Sequence, residues 1–209
     1  VLIHGLYLHG LSLGLLAHRL RRAGYRTVLF SYPSLRNSVP ASAQALAERV
    51  AALDTPRVHF VAHSLGGLIV RHLLISTAAV PPGRTVTLGT PHQGSRVARL
   101  LSGGKLKGLL GRGIEQALLD PPTAWPAGRE LGSLAGTLNV GLGRLFSVPA
   151  PADGTVTVAE TRSPGMTDHV CVPVSHTGLL FSARVAEQVR SFLDTGRFRH
   201  SPSARTSMT

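Results

Sequence analysis

One stretch, Val58 to Val70, constrains the fold more than any other part of the chain. It opens on apolar, β-favouring residues from Val58 to Ala62. It continues into Leu65, Leu68, Ile69 and Leu73, which recur as one face of a helix. Ser64 sits between the two, with the small residues Ala62 and Gly66 two positions to either side. A serine on a sharp strand-to-helix turn is held with its hydroxyl exposed, in a backbone conformation that costs about 1–3 kcal/mol. The helix N-terminus behind it favours developing negative charge. Ala62 and Gly66 leave room for strand and helix to cross closely. The same pattern also suits a plain helix N-capped by the Ser64 side chain, so the rest of the chain has to separate the two readings.

Its order of elements does so in part. Val1 to Gly5 is a short apolar run ending in His4-Gly5, and residues 12–23 then read as a helix closed by Gly24. A strand at Thr27 to Phe30 ends at Tyr32-Pro33, and Ala43, Leu46, Ala47, Val50 and Leu53 mark a second helix. After the Ser64 unit comes a strand from Arg84 to Leu88, closed by Gly89-Thr90-Pro91. Further strands are expected at Gly132 to Gly136, Thr155 to Val158 and Val170 to Val172, with a last helix from Ser182 to Leu193. Strands and helices that alternate in this way imply an α/β fold: a three-layer, doubly wound, mostly parallel sheet with helices on both faces. Right-handed crossovers then bring Gly5, Ser64 and Thr90, all at strand C-terminal ends, to one edge of the sheet, where such folds bind ligands.

The 209 residues suffice for one domain, read as 1–196, with a polar, disordered tail at 197–209. Residues 94–131 are rich in Gly, Leu and Pro without a clean period, which suits either a cover over the site or a surface excursion. The formal charge is +12, yet the basic residues are scattered and nearly all Arg, so no nucleic-acid partner is expected. The single cysteine, Cys171, excludes an intramolecular disulfide and a multi-cysteine metal site, and its apolar surroundings predict buried filler. No apolar run is long enough to span a membrane. The chain begins at Val1 inside a strand-like run and reads as truncated, so an export signal is neither supported nor excluded, and the cytoplasm is favoured. Nothing in the sequence bears on oligomeric state, and no cofactor or metal is expected.

A serine hydroxyl needs a base, most often histidine. Of ten histidines, His92, His169 and His176 lie in loops after Ser64, and only His176 falls between a final strand and a final helix. Six carboxylates separate Ser64 from His176: Glu115, Asp120, Glu130, Asp153, Glu160 and Asp168. Asp153, in a loop after the strand near residue 134, is favoured as the group that orients the imidazole; Asp168, nearer in sequence to His176, is its rival. The oxyanion of an acyl-transfer intermediate needs two backbone N–H donors. Leu65 supplies one and the loop after His4-Gly5 the other, through Leu6 or else Tyr7.

These pieces together resemble the α/β-hydrolase superfamily, and within it the small bacterial esterase/lipase group. The matching segments are LIHGL at 2–6, HFVAHSLGG at 59–67, LGTPHQGS at 88–95, DGTVTVAET at 153–161 and PVSHT at 173–177. The resemblance implies an α/β-hydrolase fold and a serine hydrolase of carboxylic esters with Ser64, Asp153 and His176 as its triad. The substrate would be a small-molecule or lipid ester. The spacing of acid and histidine in bacterial lipases favours Asp153. The Thr90 to Ser95 segment, with Pro91 and His92, would be pocket wall, together with Tyr7 and His63. Ala62 departs from the usual glycine, no long amphipathic lid is visible, and neither a calcium site nor an HGG-type loop is present. Acyl transfer or thioester cleavage would use the same residues. A non-catalytic hydrolase-fold protein binding a lipid or partner is the alternative of another class.

Overall fold

The computed structural model describes residues 1–77, 79–102, 117–119, 124–140 and 149–200. Six parallel strands form one sheet: β1 (Leu2–Ile3), β2 (Leu29–Phe30), β3 (Phe60–His63), β4 (Thr85–Leu88), β5 (Leu131–Gly136) and β6 (Asp168–Val172), in the order β2-β1-β3-β4-β5-β6. Every pairing is parallel, with Ile3 opposite Ala62 and His63 opposite Leu88. The chain steps from β1 outward to β2, then returns past β1 to β3. The crevice at the C-terminal ends of β1 and β3 is therefore the switch point of the sheet, the place where ligands of such folds sit.

Helices cover both faces. After a 3-10 turn at Gly10–Leu13 come α1 (Gly14–Arg22), α2 (Val39–Ala51), α3 (Leu65–Ser76), α4 (Arg96–Ser102), α5 (Gly178–Phe181) and α6 (Ala183–Thr195). Adjacent residues of a strand face opposite ways, and the core divides accordingly. Ile3, Phe60 and Ala62 pack with α2 and α3, while Leu2, Val61, Val86 and Leu88 pack with α1 and α6. Local chemistry fixes the helix ends. Ser38 caps α2 and Ser182 caps α6 through their hydroxyls, and Gly196 closes α6 in the left-handed conformation. At Gly66 a Cβ would lie 2.8 Å from the carbonyl oxygens of both Ile3 and His4, so only glycine lets α3 cross β1 this closely.

Three expectations are corrected. Thr155 to Val158 is not a strand: Asp153 Oδ1 accepts from the N–H groups of Thr155 and Val156, at 2.9 and 2.8 Å, and the segment curls into a turn. Cys171 is exposed rather than buried, because β6 is an edge strand and its inward positions are Val170 and Val172. The chain beyond Gly196 stays on the domain through His200. Phe198 is 5% exposed and packs at a tilt against Phe192, and Arg199 exchanges hydrogen bonds with Gln188. The rest of the expected 197–209 tail, from 201 onward, and residues 103–116 and 120–123 of the 94–131 segment lie outside the described residues.

Candidate active site

Ser64 joins β3 to α3 with φ 53° and ψ −123°, a region that residues with a side chain rarely occupy. Its hydroxyl makes no capping hydrogen bond to the helix, so the plain N-cap reading does not hold. The turn is held from three sides. Ser64 N–H donates to Leu88 O at 2.9 Å, and Ser64 O accepts from Gly67 N–H at 3.0 Å and from the Thr90 hydroxyl at 2.8 Å. A strained backbone persists where neighbours over-determine it, and here those neighbours include the end of β4.

Asp153 and His176 meet at that same edge. Asp153 is 1% exposed, and its Oδ2 lies 2.7 Å from His176 Nδ1. The carboxylate's other oxygen is filled by the two backbone donors of its own turn, which orients the group. His176 N–H in addition donates to Asp153 O at 2.8 Å. A Cβ on Gly89 would lie 3.0 Å from both Asp153 Oδ2 and His176 Cε1, which puts the pair against the end of β4, one residue past the carbonyl that holds Ser64. Asp168 starts β6, at the opposite end of the strand that leads to His176, and pairs with His200 instead. Among the described residues no hydrogen bond joins Ser64 Oγ to His176. Such contacts are often loose without substrate and tighten in the reacting complex.

Two backbone donors near Ser64 have no hydrogen-bond partner among the described residues. Leu65 N–H opens α3, where the first N–H groups of a helix have no partner within it. Leu6 N–H enters no hydrogen bond among the described residues, whereas Tyr7 N–H is taken by Ser34 Oγ at 3.2 Å. This geometry favours Leu6 over Tyr7. The loop carrying Leu6 is fixed by His4, which is fully buried. Its Nδ1 bonds Gly5 O at 2.8 Å, its Nε2 receives Tyr32 N–H at 3.2 Å, and Tyr32 stacks on its ring. Burial, opposed by these backbone bonds, pushes the His4 pKa down and keeps the ring neutral.

Of the four residues expected on the wall, only Tyr7 is exposed, at 58%. Pro91, His92 and His63 are buried. His92 bonds Thr87 Oγ1 at 3.0 Å and meets Trp125 edge-on, and burial lowers its pKa to about 3. The Thr90 to Ser95 segment is therefore scaffold more than lining. Glu160 was a further residue whose part the sequence did not reveal. Its buried carboxylate accepts from Arg96 N–H at 2.6 Å and from Thr157 N–H at 2.8 Å, and its carbonyl from Gln93 N–H at 3.1 Å. It thus ties the Asp153 turn to the segment after β4. Among the described residues no group of three or more His, Cys, Asp or Glu side chains could hold a metal ion. No helix among them is long and apolar enough to cross a membrane.

A model of the alpha/beta hydrolase family matches residues 1–203. The chain belongs to this family. Its fold is shared with solved hydrolases at low identity. The mature form of the Bacillus licheniformis lipase BlEst2 superposes with a TM-score of 0.73 at 20% identity, over 92% of this chain and 89% of that one. A pyrethroid hydrolase from Sphingobium faniae JZ-2 gives 0.63 at 16%, over 93% and 96%. The carboxylesterase CesB of Bacillus subtilis gives 0.51 at 14%, over 93% and 82%. No curated protein sequence matches the chain. At these identities the likeness to the solved hydrolases is one of fold.

Proposed function

We propose that the chain is a carboxylic-ester hydrolase that works through an acyl-enzyme on Ser64. The observation that carries the reading is the 2.7 Å contact of His176 Nδ1 with the buried Asp153 carboxylate, at the sheet edge that also bears the strained Ser64 turn. A carboxylate only accepts, so Nδ1 carries the proton and Nε2 is left as the base. Ser64 Oγ attacks the ester carbonyl carbon as its proton passes to Nε2. The oxyanion is held by Leu65 and Leu6 N–H. Collapse breaks the acyl–oxygen bond, and the imidazolium returns the proton to the departing alcohol. Water then adds to the acyl-enzyme by the same route in reverse, which releases the carboxylic acid and restores Ser64.

The partly buried, apolar Leu6 side chain beside Ser64 suits an acyl chain more than a charged group. The solved neighbours named as a lipase and a carboxylesterase agree with an ester substrate. Labelling with a fluorophosphonate probe tests the proposal. The folded protein should take up one probe molecule, mapped to Ser64, and hydrolyse p-nitrophenyl esters of short to medium acyl chains. A folded protein that gains no adduct at Ser64 would end the enzyme reading and favour a binding role for the fold.

A further inference from the structure

His63, the residue before the nucleophile, is the last of β3 and is 2% exposed. Its Nε2 lies 3.1 Å from the carbonyl oxygen of His176. A carbonyl only accepts, so Nε2 carries the proton and the ring is a fixed neutral tautomer. Burial, reinforced by the neighbouring His176, holds the His63 pKa well below the usual range and keeps it there. Its ring packs on that of His176 with centroids 4.6 Å apart. The other nitrogen, Nδ1, is buried with no hydrogen-bond partner, and it faces Gly5, where a Cβ would come within 2.9 Å.

We infer that His63 is a positioning residue that sets the His176 imidazole relative to Ser64 by donating Nε2–H to the His176 carbonyl. Among the described residues the other hydrogen bonds of His176 both go to Asp153, through its ring and its N–H. Both of those bonds come from the loop between β5 and β6, which could shift as a unit with its histidine. The bond from His63 is of a different kind, because it arises on the strand that carries Ser64 itself. It links the base to the nucleophile's own backbone, one residue away, and among the described residues no other donor reaches the His176 carbonyl. Gly5 closes the third side. A larger residue there would strike both His63 Nδ1 and Ser64 Cβ, each at 2.9 Å, so oxyanion loop, base and nucleophile are packed around one imidazole. The ring touches no crevice, so it governs placement and not substrate affinity. A misplacement of about 1 Å costs on the order of 100-fold in rate.

This inference rests on the acyl-enzyme reading for its kinetic arm and on geometry alone for its spectroscopic arm. The test compares three variants of the full chain: His63→Leu, which removes the donor, His63→Asn, whose amide is too short to reach the carbonyl, and His63→Gln, whose amide reaches it. With a p-nitrophenyl ester, Leu and Asn should lower kcat by about 10- to 100-fold with KM within about threefold, and Gln should restore most of the loss. Proton NMR should show the far-downfield His176 Nδ1–H resonance in the parent and the Gln variant, and broadened or lost in Leu and Asn. The inference is overturned if Asn keeps parental kcat and resonance, or if Gln is as impaired as Leu. It is equally overturned if all three fail to fold, since His63 would then be structural support. A parent that neither labels at Ser64 nor turns over esters would remove the acyl-enzyme reading, while the resonance would still decide the positioning.

Discussion

The molecule holds two aspartate–histidine pairs that look alike in composition and differ in everything else. Asp153 meets His176 at 2.7 Å with side-chain exposures of 1% and 14%, and Asp168 meets His200 at 2.9 Å with exposures of 12% and 38%. In the first pair one carboxylate oxygen is consumed by two backbone donors and the other faces the imidazole, so the ring is aimed at the C-terminal edge of the sheet. In the second pair His200 contacts both oxygens, and Asp168 also accepts the N–H groups of His169 and Phe198. That arrangement fastens the end of the chain to the start of β6. Along the strand the two sites are separated by roughly 13 Å, from a rise of about 3.3 Å per residue. An identical pair of side chains is thus buried at the sheet edge that bears Ser64 in one place, where we propose that it serves as the base, and is a clasp on the chain end in the other.

The comparison breaks most sharply under amide substitution. Asp153→Asn should lower kcat for ester hydrolysis by about 10⁴-fold, because the amide favours the wrong imidazole tautomer. Asp168→Asn should leave kcat within about twofold. Steady-state kinetics on the two variants checks this, and an exchanged outcome would assign the clasp and the base the other way round.

A histidine with no carboxylate sharpens the comparison further. His92 is fully buried with a pKa lowered to about 3 against an ordinary value of 6.5, chiefly by burial. Between these values the unfolded chain binds a proton that the folded one does not. The His92 contribution is therefore complete above pH 6.5 and lost as pH falls toward 3. Urea titrations from pH 6.5 to 4 should show that His92→Gln lowers the slope of unfolding free energy with pH by about 1.4 kcal/mol per unit, one proton's worth. An unchanged slope would mean that His92 titrates alike in both states.

The smallest effect belongs to the clasp. Asp168→Asn loses the charge opposite His200 but keeps one acceptor oxygen, so it should destabilise by about 1 kcal/mol. That corresponds to about 2–4 °C in Tm for a chain of this size. Differential scanning calorimetry reads it, and a loss several times larger would make the chain end part of the core.

What could be read without the structure was what local chemistry determines. Ser64 was legible because the strand, the small residues and the helix period lie within a few residues of it. The parallel sheet was legible because apolar runs and helical faces alternate. Asp153 was favoured but not separable from Asp168 by its neighbours, since its selection depends on a turn that folds back onto a strand end and is pinned there by Glu160 through Thr157. The same turn defeated the strand expected at Thr155 to Val158. Those residues have strand-like composition, but the Asp153 side chain takes two of the N–H groups that pairing would need. Phe198 was hidden in a polar tail because its partner, Phe192, is in contact only once α6 has packed. His63 gave no sign of its burial under His176, because that contact joins residues 113 apart.

The most direct test of the central claim is rapid-mixing kinetics with a p-nitrophenyl ester, followed by acid quench and peptide mass analysis. The account predicts a burst of p-nitrophenol of about one equivalent where deacylation limits the rate, with the acyl group on the peptide containing Ser64. Both should vanish in Ser64→Ala. Ester turnover that persists in the folded Ser64→Ala protein, or an acyl group trapped on another residue, would contradict it.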